Sequence, residues 1–242
     1  FDRIPTMAET LDADFVAAFF HFPIETQPVA LADRLIRDKI GFLPIFCDSD
    51  ETMTISKKIV GAMSKAEIVV PFDMAGEGNA GFAVQWKSSL FLTMPQLGRN
   101  EFTDEEELLD TLISAGVFRT RLLFSCRSFD ELLASGSGDL LPYPYRMYEK
   151  MKRGDLSLLV SGDYPIFYPA TYGHLKTLFP GASNGKPGTV IGTVEEQKNS
   201  ISLIDLVDGQ IRSVTGIYLS DSWNVISKSS LPKKAGVFLL WD

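Results

Sequence analysis

Apolar positions along this chain follow two rhythms, and the rhythm changes near residue 189. Before that point, apolar residues spaced three to four apart alternate with short continuous apolar runs, the signatures of helices and buried strands. In "TMAETLDADFVAAFF", residues 6–20, Leu11, Phe15, Ala18 and Phe19 fall on one helical face. "PVALADRLIRDKIG", residues 28–41, reads as a second helix that starts on proline and ends at Gly41. The strand "FLPIF", the helix "ETMTISKKIVGAMSKA" and the strand "EIVVPF" follow. "FAVQW" and "LFLTM" read as strands around a "KSS" turn.

"TDEEELLDTLISAG", residues 103–116, is an amphipathic helix with Leu108, Leu109, Leu112 and Ile113 on its apolar face. A strand "TRLLFSC" then leads into a short helix "FDELLAS". "GSGDLLPYPY", residues 136–145, reads as a flexible joint. A helix near 145–153, a strand "LSLLV" and a helix near 170–179 complete this part. Beyond residue 189 come "TVIGTV", "SISLIDLV", "QIRSVTGIYL", "WNVIS" and "GVFLLW", all short β-type runs. "VDGQ" at 207–210 supplies the Asp-Gly pair that a tight hairpin needs.

The order predicts an α+β fold, with a mixed α/β N-terminal part and an antiparallel β-rich C-terminal quarter. Three regions result: residues 1–136, a Tyr/Pro-rich connection at 137–188, and a β region at 189–242, open to being one domain. With 242 residues and 45% apolar composition, the chain can bury a core without staples.

Charge and residue counts exclude several functions. A net charge of −8 repels a nucleic-acid backbone, and the densest basic run, Lys150, Lys152 and Arg153, is short. Two histidines, His21 and His174, exclude a histidine-rich metal site. Cys47 and Cys126 are too few for a disulfide framework or a four-cysteine zinc site, and each follows an apolar run. Both are expected as free, buried, small hydrophobes. No run reaches the 18 or so apolar residues of a membrane helix, so the protein is expected in a soluble compartment. Phe1 in place of a starting Met raises the expectation of a leader, tag or preceding segment before it.

The clearest candidate chemistry is "FLPIFCDSDET", where an apolar strand ends in Asp48, Ser49, Asp50 and Glu51. Asp48-x-Asp50-x-Thr52 after a strand resembles the first motif of the haloacid-dehalogenase-like phosphatases. That resemblance implies Asp48 as nucleophile, Asp50 as general acid and base, and Mg²⁺ as cofactor. It also implies Ser125 as the phosphate-binding hydroxyl, Lys150 or Lys152 as charge stabiliser and Asp163 as metal ligand. A second reading rests on recurrence. Asp48 with Glu51 has the spacing of a helix capping box, as do Thr6 with Glu9, Thr103 with Glu106, and Ser128 with Glu131. The repeated device favours the cap.

"GEGNAG" at 76–81 spells Gly-x-Gly-x-x-Gly, but strand-like sequence follows where a dinucleotide site needs a helix. "GASNGKPG" at 181–188 misses phosphate-loop spacing by one residue. Six of the seven tyrosines, Tyr143, Tyr145, Tyr148, Tyr164, Tyr168 and Tyr172, lie among prolines and beside His174. Tyrosine couples a rigid apolar ring to a polar tip, which suits interfaces; the competing reading is a core edge with local hydrogen bonds. The sequence thus predicts a soluble, non-catalytic protein acting through protein contacts, as an accessory subunit, adaptor or inhibitor, without cofactor. The alternative is a Mg²⁺-dependent phosphohydrolase using Asp48 and Asp50.

Overall fold

A computed structural model describes residues 3–20, 27–47, 52–72, 81–94, 109–110, 118–127, 142–182, 188–189, 196–219 and 223–241. For residues 3, 27, 52–53 and 142–146 it describes the backbone alone. The fold is α+β, as expected. Among the described residues, helices α1 (Arg3–Thr10), α2 (Gln27–Arg37), α3 (Thr52–Lys65) and α4 (Pro142–Arg153) accompany fifteen strands and one 3₁₀ turn, Lys228–Ser230.

These four helices end alike. The residues Asp12, Lys39, Glu67 and Asp155 adopt positive φ of 50°, 62°, 59° and 54°. The next amide reaches back five residues in each case: Ala13 to the Ala8 carbonyl, Ile40 to Leu35, Ile68 to Met63, Leu156 to Met151. This is the Schellman exit, which satisfies free carbonyls and brings an apolar residue onto the helix's last turn. None of the four uses the favoured glycine. The first exit explains a departure from expectation. "TMAETLDADFVAAFF" is not one helix, because α1 stops here and Phe15–Phe20 forms strand β1.

β1 pairs in parallel with β2 (Gly41–Phe46), which is buried along its whole length. Leu31, Leu35, Ile59 and Met63, from α2 and α3, join the core cluster that contains β2. The main sheet has nine strands in the order β14-β15-β8-β9-β7-β6-β5-β4-β3. These are β3 (Val70–Phe72), β4 (Phe82–Trp86), β5 (Ser89–Thr93), β6 (Thr120–Ser125), β7 (Leu158–Ser161), β8 (Phe167–Tyr172), β9 (Leu175–Pro180), β14 (Lys234–Ala235) and β15 (Phe238–Leu240). β5, β6, β7 and β9 run parallel, and the margins are antiparallel. Strands from all three regions of the sequence share this sheet.

Period-two alternation gives each face its own core. On one face, Leu90, Leu92, Leu123 and Leu159 pack with Met147 and Met151 of α4. The other face carries Phe91, Phe124, Val160 and Leu178. Against it lie β1, through Phe15 on Phe91 (4.8 Å) and Phe19 on Phe124 (6.4 Å), and a hairpin of β12 (Ser200–Val207) and β13 (Gln210–Tyr218). Helices α1–α3, a second β layer, the nine-stranded sheet and α4 thus follow one another in layers. The β12–β13 turn matches its prediction, with φ of 51° at Asp208 and 74° at Gly209. β10 (Gly188–Thr189) and β11 (Glu196–Gln197) form a small separate pair.

Four further expectations are corrected. The helix near 170–179 is the β8–β9 hairpin, turning at Gly173 with φ 59°; strand pairing overrode the apolar spacing. "WNVIS" contributes only an isolated bridge, Val225 to Ile217. Cys47 and Cys126 are not free thiols but a disulfide, with Cα atoms 5.3 Å apart. Residues 142–145 of the expected joint begin α4, with Pro142 in the first turn. The helices expected at 103–116 and 129–135, the loop at 76–81 and the run 190–194 lie largely or wholly outside the described residues; Leu109 and Asp110 are helical.

Candidate functional site

In sheets with parallel strands, ligands favour the crevice outside the strands' carboxyl ends. Here β2, β5, β6 and β7 end along one rim. The Cys47 amide donates to the Phe20 carbonyl at 2.8 Å, Met94 to Phe124 at 2.9 Å, and Gly162 to Ser125 at 2.9 Å. The disulfide joins the residue after β2 to the residue after β6, crossing from the second β layer to the main sheet.

Side chains at the rim are turned inward. Ser125 and Ser161 occupy paired positions on β6 and β7, and both have 0% exposure. The Ser125 Oγ accepts the Arg127 amide at 3.1 Å, and the Ser161 hydroxyl donates to Asp163 Oδ1 at 2.7 Å. These bonds tie strand ends to the loops that leave them. Ser125 and Asp163, assigned to one site by the phosphatase resemblance, do lie at neighbouring strand ends. Asp48 and Asp50 lie outside the described residues. Among the described residues, no three His, Cys, Asp or Glu side chains gather round one point. Asp163 alone is no cage for Mg²⁺, so the fit of that ion rests on Asp48 and Asp50. Lys150 sits on α4 and bonds Asp110 at 2.6 Å, on the far face of the sheet from the disulfide.

The tyrosines divide between core and margin. Tyr168 has 0% exposure and its hydroxyl donates to the Pro232 carbonyl at 2.9 Å. Burial pushes its pKa up to about 12. A residue so placed has no surface to offer a partner, which corrects its assignment as a contact residue. Tyr148 accepts the His174 amide at 3.0 Å and meets Tyr172 edge to face at 6.0 Å. Tyr164 packs edge-on against Phe179 at 5.3 Å. Tyr143 and Tyr145 lie in the first turn of α4, and their side chains are outside the described residues. His174 is exposed in the β8–β9 turn.

Sequence reasoning missed a different place. Beyond the end of the β12–β13 hairpin, a cavity of about 590 Å³ opens between β13, β9, residues 225–228 and Trp241. Lys176, Arg212 and Lys228 line it, together with Val225 and the Trp241 ring. Lys176 Nζ lies 4.4 Å from that ring's centre and Lys228 Nζ 5.7 Å. Nearby, Val225, Val237 and Leu239 remain 64%, 49% and 54% exposed. No short motif announces these residues; the one available signal was "GVFLLW", an apolar strand at the chain's end in which every residue from Val237 to Trp241 is apolar.

No family model and no curated protein matches the chain. Among solved structures, it is similar to the chain described as "GAP50 the anchor in the inner membrane complex of Plasmodium". The identity is 10% and the TM-score 0.48, over 93% of this chain and 80% of that one. A likeness at that level carries no argument about function. No described helix is long and apolar enough to cross a membrane.

Proposed function

We propose that this protein is a non-catalytic partner in a protein assembly, an accessory subunit, adaptor or inhibitor, and that its contact surface is the C-terminal margin of the main sheet. One observation carries the reading. Of five large hydrophobic side chains exposed among the described residues, three, Val225, Val237 and Leu239, lie between residues 225 and 239. β14–β15 forms an open sheet edge there, and an open edge with exposed aliphatic side chains is a template for association. The inward-turned hydroxyls of the rim agree with a scaffold role. The disulfide suits an oxidising compartment. The test is chemical cross-linking of the tagged chain in native extract, beside Val237→Asp with Leu239→Asp. Loss of a cross-linked partner from the variant, at unchanged melting temperature, is expected; an identical partner set overturns the surface.

A second reading has its own observation. The disulfide joins Cys47 and Cys126, the chain neighbours of Asp48 and Ser125, and β7 brings Asp163 alongside. That arrangement supports a Mg²⁺-dependent phosphohydrolase using Asp48 and Asp50. Turnover of a phosphate-ester panel with Mg²⁺, abolished by Asp48→Asn, would establish it; inactivity of both proteins removes it.

A further inference from the structure

We propose that the groove beside Trp241 receives an extended acidic segment of the partner protein, added as a strand to the outer edge of β13. The proposal rests on the contact reading above and names the chemistry of the partner. Two features of the groove converge on it.

The first is charge. The chain carries 31 acidic against 23 basic residues, yet among the described residues three cations and no carboxylate line this cavity. Lys176 comes from β9, Arg212 from β13 and Lys228 from the 3₁₀ turn. The ion pairs among the described residues involve Lys87, Lys150 and Lys152, not these three. Two ammonium groups share the Trp241 ring instead, which holds them in place without neutralising them. Lys234 extends the same face, paired with Leu239, then Thr171, then Lys176 across successive strands. An acidic protein thus presents one concave, positive site, which attracts negative partners and rejects others.

The second is the unfinished edge of β13. At its far end the edge is used: Tyr218 N–H donates to the Asn224 carbonyl, and Ile226 N–H donates to the Gly216 carbonyl, both at 2.8 Å. The chain then turns away into Lys228–Ser230. From Ile211 to Thr215, β13 has β12 on one side and no described strand on the other. This bare stretch lines the groove. A peptide continuing the line of residues 224–226 would hydrogen-bond β13 and set alternate side chains towards the cations, the usual division of labour in strand addition. A free phosphate would use the cations and leave the edge idle.

The test uses fluorescein-labelled octapeptides and fluorescence anisotropy at low salt. One alternates Glu and Val, one alternates Lys and Val, and one is the acidic peptide with proline at two positions. The acidic peptide is expected to bind and the basic one not to. Proline removes N–H donors, so the third peptide should bind about tenfold more weakly or worse. Lys176→Glu with Lys228→Glu should weaken the acidic peptide by at least about tenfold, at unchanged melting temperature, because it reverses the site's sign. Equal binding of the proline peptide overturns strand addition, as does its displacement by millimolar inorganic phosphate. An indifferent double variant overturns the groove. If no peptide binds while native extract still yields a partner sensitive to Leu239→Asp, the groove fails and the contact reading stands. If no partner is found either, both fail.

Discussion

Replacing Cys47 and Cys126 together by alanine should cost the protein several kcal/mol. The bond spans 79 residues of sequence. In the chain-entropy treatment, closing a loop of that length removes about 4.5 kcal/mol of freedom from the unfolded chain at 25 °C. Both sulfurs are buried, with residue exposures of 6% and 7%, so their loss also leaves a small void. Alanine is the right probe, since a serine hydroxyl left unbonded at such a site would cost about 1–3 kcal/mol by itself. Guanidinium titration should therefore show a loss of about 4–5 kcal/mol, and reductant should bring wild type close to the variant. For a chain of this size the melting temperature should fall by on the order of 10 °C. The bond joins the second β layer to the main sheet, so amide exchange should quicken more in β1 and β2 than in β9. A stability change under about 1 kcal/mol would refute the reasoning. So would two free thiols in wild-type protein unfolded without reductant.

Other consequences follow from single positions. A Cβ on Gly216 would overlap the ring of Phe167, which has 0% exposure, so Gly216→Ala should destabilise by about 1–3 kcal/mol in chemical denaturation. Glu67→Gly should raise stability by about 0.5–1 kcal/mol, because glycine relieves the strain of a left-handed helix exit and gives back part as unfolded-state entropy; an unchanged or lower midpoint would refute this. Tyr168 holds its proton more tightly folded than unfolded, so its contribution is whole below pH 10 and drains away as pH rises towards about 12. Tyr168→Phe should lose about 1 kcal/mol at neutral pH with the bond to Pro232, and should flatten the alkaline fall in melting temperature.

The fold class and most elements were legible because burial left a regular trace. β2 is apolar throughout because both its faces are covered, and α2 and α3 keep their apolar faces at helical spacing. The hairpin at Asp208-Gly209 was legible because its chemistry is local. Failures occurred where a distant partner decided the outcome. Phe15, Ala18 and Phe19 sit at helical spacing, but Phe15–Phe20 has β2 beside it and the rings of Phe91 and Phe124 beneath. Residues 170–179 form two short strands around Gly173 and His174, so Ala170, Leu175, Leu178 and Phe179 fall near helical spacing although the pairing of β8 with β9 decides the structure. The non-glycine exits hid the ends of α1 and α2 from a search for glycine, whereas α3 and α4 end where they were expected.

The candidate sites were less legible, for a related physical reason. A disulfide across 79 residues has no spacing signature, and two cysteines after apolar runs look the same whether free or bonded. The groove is harder still, since Lys176, Arg212, Lys228 and Trp241 come from separate elements and meet only after the sheet has formed. What distinguishes them is the missing counter-charge, a property of three-dimensional surroundings. The same applies in reverse to the tyrosines, whose clustering in sequence suggested a surface. Tyr168 and Tyr172 share one face of β8, yet Tyr168 is wholly buried there and Tyr172 only half-buried at the strand's end, while Tyr148 belongs to α4. Clustering in sequence thus gives no common surface, whereas the groove collects residues from elements that the sequence keeps apart. In a layered fold of this kind, a binding surface is therefore better sought in unbalanced charge along an open strand edge than in local enrichment of one residue type.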